Sequence, residues 1–194
     1  MSKLELWLIR HGQSSINAGV WTTSPANASL TDLGKEQAQS VVAEITIQPD
    51  LIITSSMQRS KESAYYVMQT WPTTPAEVWS IQEFIYLSPS KLAQVDAAEK
   101  KARINEYWRR GDPSYCDGSD AESFASFLRR VSQFHTQILK YQGFIIAVGH
   151  GQFFKAYQLG TTRGFKPTTE WMQHFRQQET SHPIHNSEII KIVV

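Results

Sequence analysis

Three polar clusters in the sequence each follow directly on a short apolar run. Leu4–Ile9 leads into Arg10-His11-Gly12-Gln13-Ser14. Leu51-Ile52-Ile53-Thr54 leads into Ser55-Ser56, with Arg59 shortly after. Phe144–Val148 leads into Gly149-His150-Gly151. If the three runs are neighbouring parallel strands, Arg10, His11, Arg59 and His150 converge at one rim, because ligands of such sheets sit beyond the carboxyl ends of the strands. Two guanidinium groups offer planar forks of donors that match phosphate oxygens. Positive charge close by keeps a histidine neutral, and a neutral imidazole nitrogen is a nucleophile. The glycines after both histidines let backbone approach a ligand closely. A helix starting near Gly151 adds its free N–H groups. The assembly fits a phosphoryl group. Taken singly, each residue also suits an ordinary place, as a solvated surface arginine, a packed histidine or a turn glycine; only together do they point to a phosphoryl group.

The elements that would position these residues alternate along the chain. Strands are expected at Leu4–Ile9, 50–54, 77–81, Phe144–Val148 and 187–194. Helices are expected from Thr31 through Ile45, over 58–69, 89–107, from a Ser119-x-x-Glu122 capping box through Ile138, and over 152–159. The alternation implies an α/β fold with helices layered on a mainly parallel sheet. Residues 84–118 read least clearly and suggest an insertion or lid on a single 1–194 domain, and 161–185 reads as a loop.

Composition narrows the function classes. The chain has 194 residues, 19 Lys+Arg against 18 Asp+Glu, and 41% apolar residues. That length suits one domain with a substantial core. A net charge of +1 gives no sign of nucleic-acid or polybasic membrane binding. The lone Cys116 excludes an internal disulfide framework and a multi-cysteine metal site. The first apolar run is too short to span a membrane and lacks the form of a signal peptide. A cytoplasmic protein is expected.

Several segments resemble, in order, the histidine phosphatase superfamily, the phosphoglycerate-mutase-like proteins. Arg10-His11-Gly12-Gln13-Ser14-Ser15-Ile16-Asn17 resembles the signature Arg-His-Gly-x-(Ser/Thr)-x-x-Asn. Leu30-Thr31-Asp32-Leu33-Gly34 through Gln37-Ala38, Ser55-Ser56 through Arg59-Ser60, Glu122-Ser123-Phe124 with Phe127 and Arg130, and Gly149-His150-Gly151 match further family motifs. Asn186-Ser187 loosely resembles the lead into the last strand. The resemblance covers residues 4 to about 193. It implies a three-layer αβα sandwich and a metal-independent, cofactor-free phosphatase acting on a small-molecule phosphate ester through a phosphohistidine. It further implies His11 as nucleophile, with Arg10, Arg59 and His150 on the phosphoryl oxygens and Asn17 and the Gly151 N–H as further contacts. Glu83 is implied as general acid, with Glu77 in reserve.

The sequence departs from the common family form at Gln13, Ser14, Ala121 and Gln152. It lacks an evident basic insertion for a second phosphate, which favours phosphatase over mutase. A mutase, a non-catalytic phospholigand-binding protein and a metal hydrolase using His11, His150 and the C-terminal histidines remain alternatives. His135 reads as structural or solvated, and His174, His182 and His185 as surface residues rather than a metal set, although one of the three could line the substrate pocket. The aromatics Phe84, Tyr86, Tyr107, Trp108, Tyr115, Phe165 and Trp171 hint at an apolar or ring-bearing leaving group.

Overall fold

The computed structural model describes residues 3–193. Its centre is a five-stranded sheet in the order β3-β2-β4-β1-β5. The strands are β1 (Leu4–Arg10), β2 (Leu51–Thr54), β3 (Ala76–Val78), β4 (Gly143–Gly149) and β5 (Ile189–Val193). All neighbours run parallel except β5, which lies antiparallel to β1 at one edge.

Side-chain alternation builds two cores. Leu4, Leu6 and Leu8 of β1 enter one, and Trp7 and Ile9 enter the other. On the second face lie α1 (Asp32–Val42) and α2 (Gln58–Thr70), contributing Val41, Ala64 and Val67. On the first lie α5 (Phe124–Ile138), α6 (Gly151–Arg163) and α7 (Thr169–Ser181). Along α5, Phe124, Phe127, Leu128, Val131, Phe134 and Ile138 are all buried. Each contributes about 1.5–3 kcal/mol relative to an exposed position. β4 opens at Gly143, which has φ +85°; a Cβ there would lie 2.2 Å from the Asp50 carboxylate. That carboxylate accepts from the Phe144 N–H at 2.8 Å, fixing the start of the strand.

The fold is the expected α/β sandwich, with local differences. The strand expected at 77–81 is β3, Ala76–Val78. The carbonyls of Ser80, Gln82 and Glu83 accept from the Arg130 guanidinium instead of joining the sheet. The helix expected over 89–107 divides into α3 (Pro89–Leu92) and α4 (Ala97–Arg110), because Asp96 caps a new start through Glu99 N. Helix α5 starts after Ser123, not at the Ser119 capping box. Glu122 is drawn away, its N–H to Ile85 O and its carboxylate to Arg130. The stretch 161–185, expected as loop, holds the end of α6 and all of α7. The closing strand begins at Ile189, and Val194 lies outside the described residues. Residues 84–118 contribute Phe84, Leu87 and Tyr107 to the same core as β1 and α5.

Candidate active site

The parallel register aligns the strand ends. Arg10 pairs with Gly149, and Thr54 with Val148. His11, Ser55 and His150 are therefore delivered together at the carboxyl edge of β1, β2 and β4. The rings of His11 and His150 lie 5.1 Å apart, edge to face. Gly12 holds this corner tightly: a Cβ on it would meet the Gly34 carbonyl oxygen at 2.1 Å. Ser63 and Ser60 complete the support, the Ser63 hydroxyl accepting from Gly12 N and the Ser60 hydroxyl donating to Val148 O.

The two contacts of the His11 ring define its protonation. Nδ1 lies 2.6 Å from the Gly12 carbonyl, an acceptor, so Nδ1 carries the hydrogen. Nε2 accepts from the Arg59 Nε–H at 3.0 Å, so it presents a lone pair. His11 is only 2% exposed. Burial, first, and then the Arg59 and Arg10 charges lower its pKa to about 3, against the opposing pull of the Gly12 carbonyl. The ring is a neutral base at ordinary pH.

Arg59 stands in the first turn of α2. Its other donors reach Pro25 O at 2.6 Å and Met57 Sδ. The Arg10 guanidinium donates to Ile184 O. His150, fully buried, caps α6 and places Nε2 2.7 Å from Ser55 Oγ. Ser55 Oγ also accepts from Met57 N; where its own hydrogen goes to His150 Nε2, the ring hydrogen stands on Nδ1. Burial and the neighbouring His11, Arg59, Arg130 and Arg10 charges push the His150 pKa well below its ordinary value. Among the described residues, Arg10 Nε and His150 Nδ1 are buried without a hydrogen-bond partner. Buried donors left open in this way are costly unless a ligand takes them. Asn17 Oδ1 accepts from Ser14 N and Oγ and from Asn186 Nδ2, which leaves the Asn17 amide hydrogens for an anion. Gly151 opens α6, whose first-turn N–H groups have no partner within the helix.

Glu83 joins this cluster. It lines one cavity with Arg10, Asn17 and Gly151, and a second with Arg59. Its carboxylate accepts from its own neighbour Phe84 N and, at 3.5 Å, from Gln152 N. Burial pushes its pKa up, while Arg59, Arg10 and the two N–H groups pull the other way; burial prevails. Arg130 fixes the segment by holding the Gln82 and Glu83 carbonyls, and is itself paired with Glu122. The reserve candidate Glu77 lies on the edge strand β3 and accepts from the Trp79 indole.

Arg10, His11, Asn17, Arg59, Glu83, His150 and Gly151 thus meet in one region, and Glu77 stands outside it. Asn186 was legible only as a lead into the last strand. Its amide donates to the His11 carbonyl at 3.0 Å and to Asn17, tying the two ends of the chain together. The adjacent Ser187 turns the backbone at φ +60°. His135 packs against the Tyr157 and Phe165 rings. His174 lies on α7, and His182 and His185 are exposed beyond it; from this region Pro183 and Ile184 line the cavity beside Arg10. Among the described residues, no three or more His, Cys, Asp or Glu are grouped to hold a metal ion. No described helix is long and apolar enough to cross a membrane.

A family model for the histidine phosphatase superfamily (branch 1) matches residues 6–185. The adenosylcobalamin/alpha-ribazole phosphatase of Escherichia coli (strain K12) is 26% identical over 155 residues, covering 76% of this chain and 73% of that protein. The 2,3-bisphosphoglycerate-dependent phosphoglycerate mutase of Mycobacterium leprae (strain Br4923) is 28% identical over 186 residues, covering 78% and 74%. Among solved structures, a mycobacterial glucosyl-3-phosphoglycerate phosphatase superposes with TM-score 0.71 at 20% identity, over 97% of this chain and 89% of that one.

Proposed function

The chain belongs to the histidine phosphatase superfamily (branch 1), and we propose that it hydrolyses a small-molecule phosphate monoester without a metal ion, through a phosphohistidine on His11. Membership and relatives support a phosphatase or mutase activity; hydrolysis is the finer reading. The observation that carries the phosphohistidine step is the His11 ring, neutral, with Nδ1–H on Gly12 O and the Nε2 lone pair turned to Arg59.

In the first step His11 Nε2 attacks phosphorus, the bond to the ester oxygen breaks, and the Glu83 carboxyl gives its proton to the departing oxygen. The Gly12 carbonyl steadies Nδ1–H as the ring gains positive character. Arg10, Arg59, His150 Nδ1–H, the Asn17 amide and the Gly151 N–H neutralise the equatorial oxygens, where the transition-state charge resides. In the second step the Glu83 carboxylate takes a proton from water. The oxygen attacks phosphorus, the N–P bond breaks, and inorganic phosphate leaves with His11 neutral again. The raised pKa of Glu83 suits both halves, acid first and base second.

The mutase reading rests on the phosphoglycerate mutase among the relatives. It requires an anchor for a second anionic group on the substrate. The test is phosphate release from an aryl phosphate in excess chelator, alongside phosphoryl exchange within labelled 3-phosphoglycerate. Chelator-resistant release that His11→Ala abolishes is expected. Exchange faster than release would favour the mutase, and activity lost in chelator would overturn the metal-independent mechanism.

A further inference from the structure

The phosphoryl site opens on one side into a cavity of about 230 Å³, and Arg59 and Glu83 lie in both. Its walls come from two places. The loop after β1 supplies Ile16, Val20 and Trp21. The stretch following Glu83, with α3 and α4, supplies Phe84, Tyr86 and Ile104, among others. Arg59 and Glu83 are the charged groups of this lining, and both belong to the proposed chemistry.

We propose, on the phosphatase reading above, that the substrate's leaving group is uncharged and apolar, of ring size, and seats in this cavity. Continuity is the first argument. Any group esterified to a phosphoryl held by Arg59 and His11, with its oxygen protonated by Glu83, must exit where Glu83 stands, and the cavity begins there. Charge is the second. With Arg59 engaged by the phosphoryl group, a carboxylate or second phosphate in the cavity would face the Glu83 carboxyl and apolar walls, with its desolvation uncompensated. The Lys100 ammonium is outside the lining, seated 3.8 Å from the Trp21 ring centre. Size is the third, since an apolar cavity of about 150 Å³ accepts benzene. Exposure is the fourth. Val20 at 58%, Trp21 at 44% and Ile16 at 36% are bare on one loop beside the cavity, and grouped exposed apolar side chains mark binding sites. Of the aromatics noted in the sequence, Phe84 and Tyr86 line the cavity, while Tyr107 and Trp171 are buried in the core.

Calorimetric titration of the whole protein with non-hydrolysable phosphonates tests this without turnover. The probes are methylphosphonate, benzylphosphonate and 2-carboxyethylphosphonate. Benzylphosphonate is expected to bind about 10- to 100-fold more tightly than methylphosphonate, the range for burying one ring-sized apolar group. The carboxyethyl compound is expected to bind no more tightly than methylphosphonate. Trp21→Ala, on the exposed loop, should remove part of the benzyl advantage. Ile104→Lys, half-buried at the rim of α4, should abolish it and favour the carboxyethyl compound. Equal binding of benzyl and methyl probes, tightest binding of the carboxyethyl probe, or no phosphonate binding overturns the inference. A benzyl preference in a protein that releases no phosphate would keep the apolar subsite and overturn the phosphatase reading alone.

Discussion

Replacement of His11 by alanine is expected to lower kcat/KM for phosphate release by roughly 10⁴-fold or more, the scale seen when a covalent nucleophile is removed. The substitution deletes the Nε2 lone pair and the Nδ1–H bond to Gly12 O, while leaving the surrounding scaffold in place. Arg59 keeps its bonds to Pro25 O and Met57 Sδ, and the Ser63–Gly12 bond does not involve the ring. The variant should therefore fold, as circular dichroism and a cooperative thermal transition would verify. His150→Ala makes the informative contrast. It retains the proposed nucleophile but removes a donor from the phosphoryl oxygens, so a loss of about 10²–10³ is expected. A His11→Ala protein that keeps more than a few per cent of activity would contradict the assignment.

Glu83→Gln is expected to separate substrates by their leaving groups. Glutamine preserves size and its amide oxygen can keep the bond from Phe84 N, at the cost of the longer one from Gln152 N, but it offers no acid proton. Alkyl phosphates need that proton, so their kcat/KM should fall about 10²- to 10⁴-fold. p-Nitrophenyl phosphate expels a stable phenolate and should lose less than about tenfold in the transfer step, read as the burst in rapid-quench kinetics. The pH profile follows from the same residues. The proposed mechanism requires His11 neutral and Glu83 protonated. His11 loses its proton at about 3, so the rising limb lies near that pH. Glu83, raised above the usual carboxylate value by burial, sets the falling limb as it ionises. In Glu83→Gln the falling limb for alkyl phosphates should vanish. Equal losses on both substrates with an unchanged profile would remove Glu83 from the acid role.

The sheet and the gathering of the site were legible because each rested on a local signal. The runs at Leu4–Ile9 and Phe144–Val148 carry apolar residues on both faces, as buried parallel strands require, and each is followed, one residue on, by His-Gly. What could not be read were competitions settled by distant partners. Ser119 and Ser123 both suit a helix start. Ser123 wins because Arg130 and Ile85 claim Glu122, and neither claim has a sequence signature. Helix α7 was hidden by its run of Gln, Glu, Thr and Ser, although Trp171, Met172 and Phe175 already carried the stripe it buries. The shape of the leaving-group cavity was out of reach altogether. Its walls join the loop at 16–25 to residues 83–104, and only the fold brings those together.

The proposed mechanism passes through a covalent phosphoenzyme on His11 Nε2. Rapid quench of the protein with ³²P-labelled aryl phosphate, into alkali that preserves phosphohistidine, tests it most directly. The expected label is acid-labile and alkali-stable, maps to the peptide containing His11, disappears on chase with unlabelled substrate at the rate of turnover, and is absent from His11→Ala. Turnover without such a label, or the same label in His11→Ala, would contradict it.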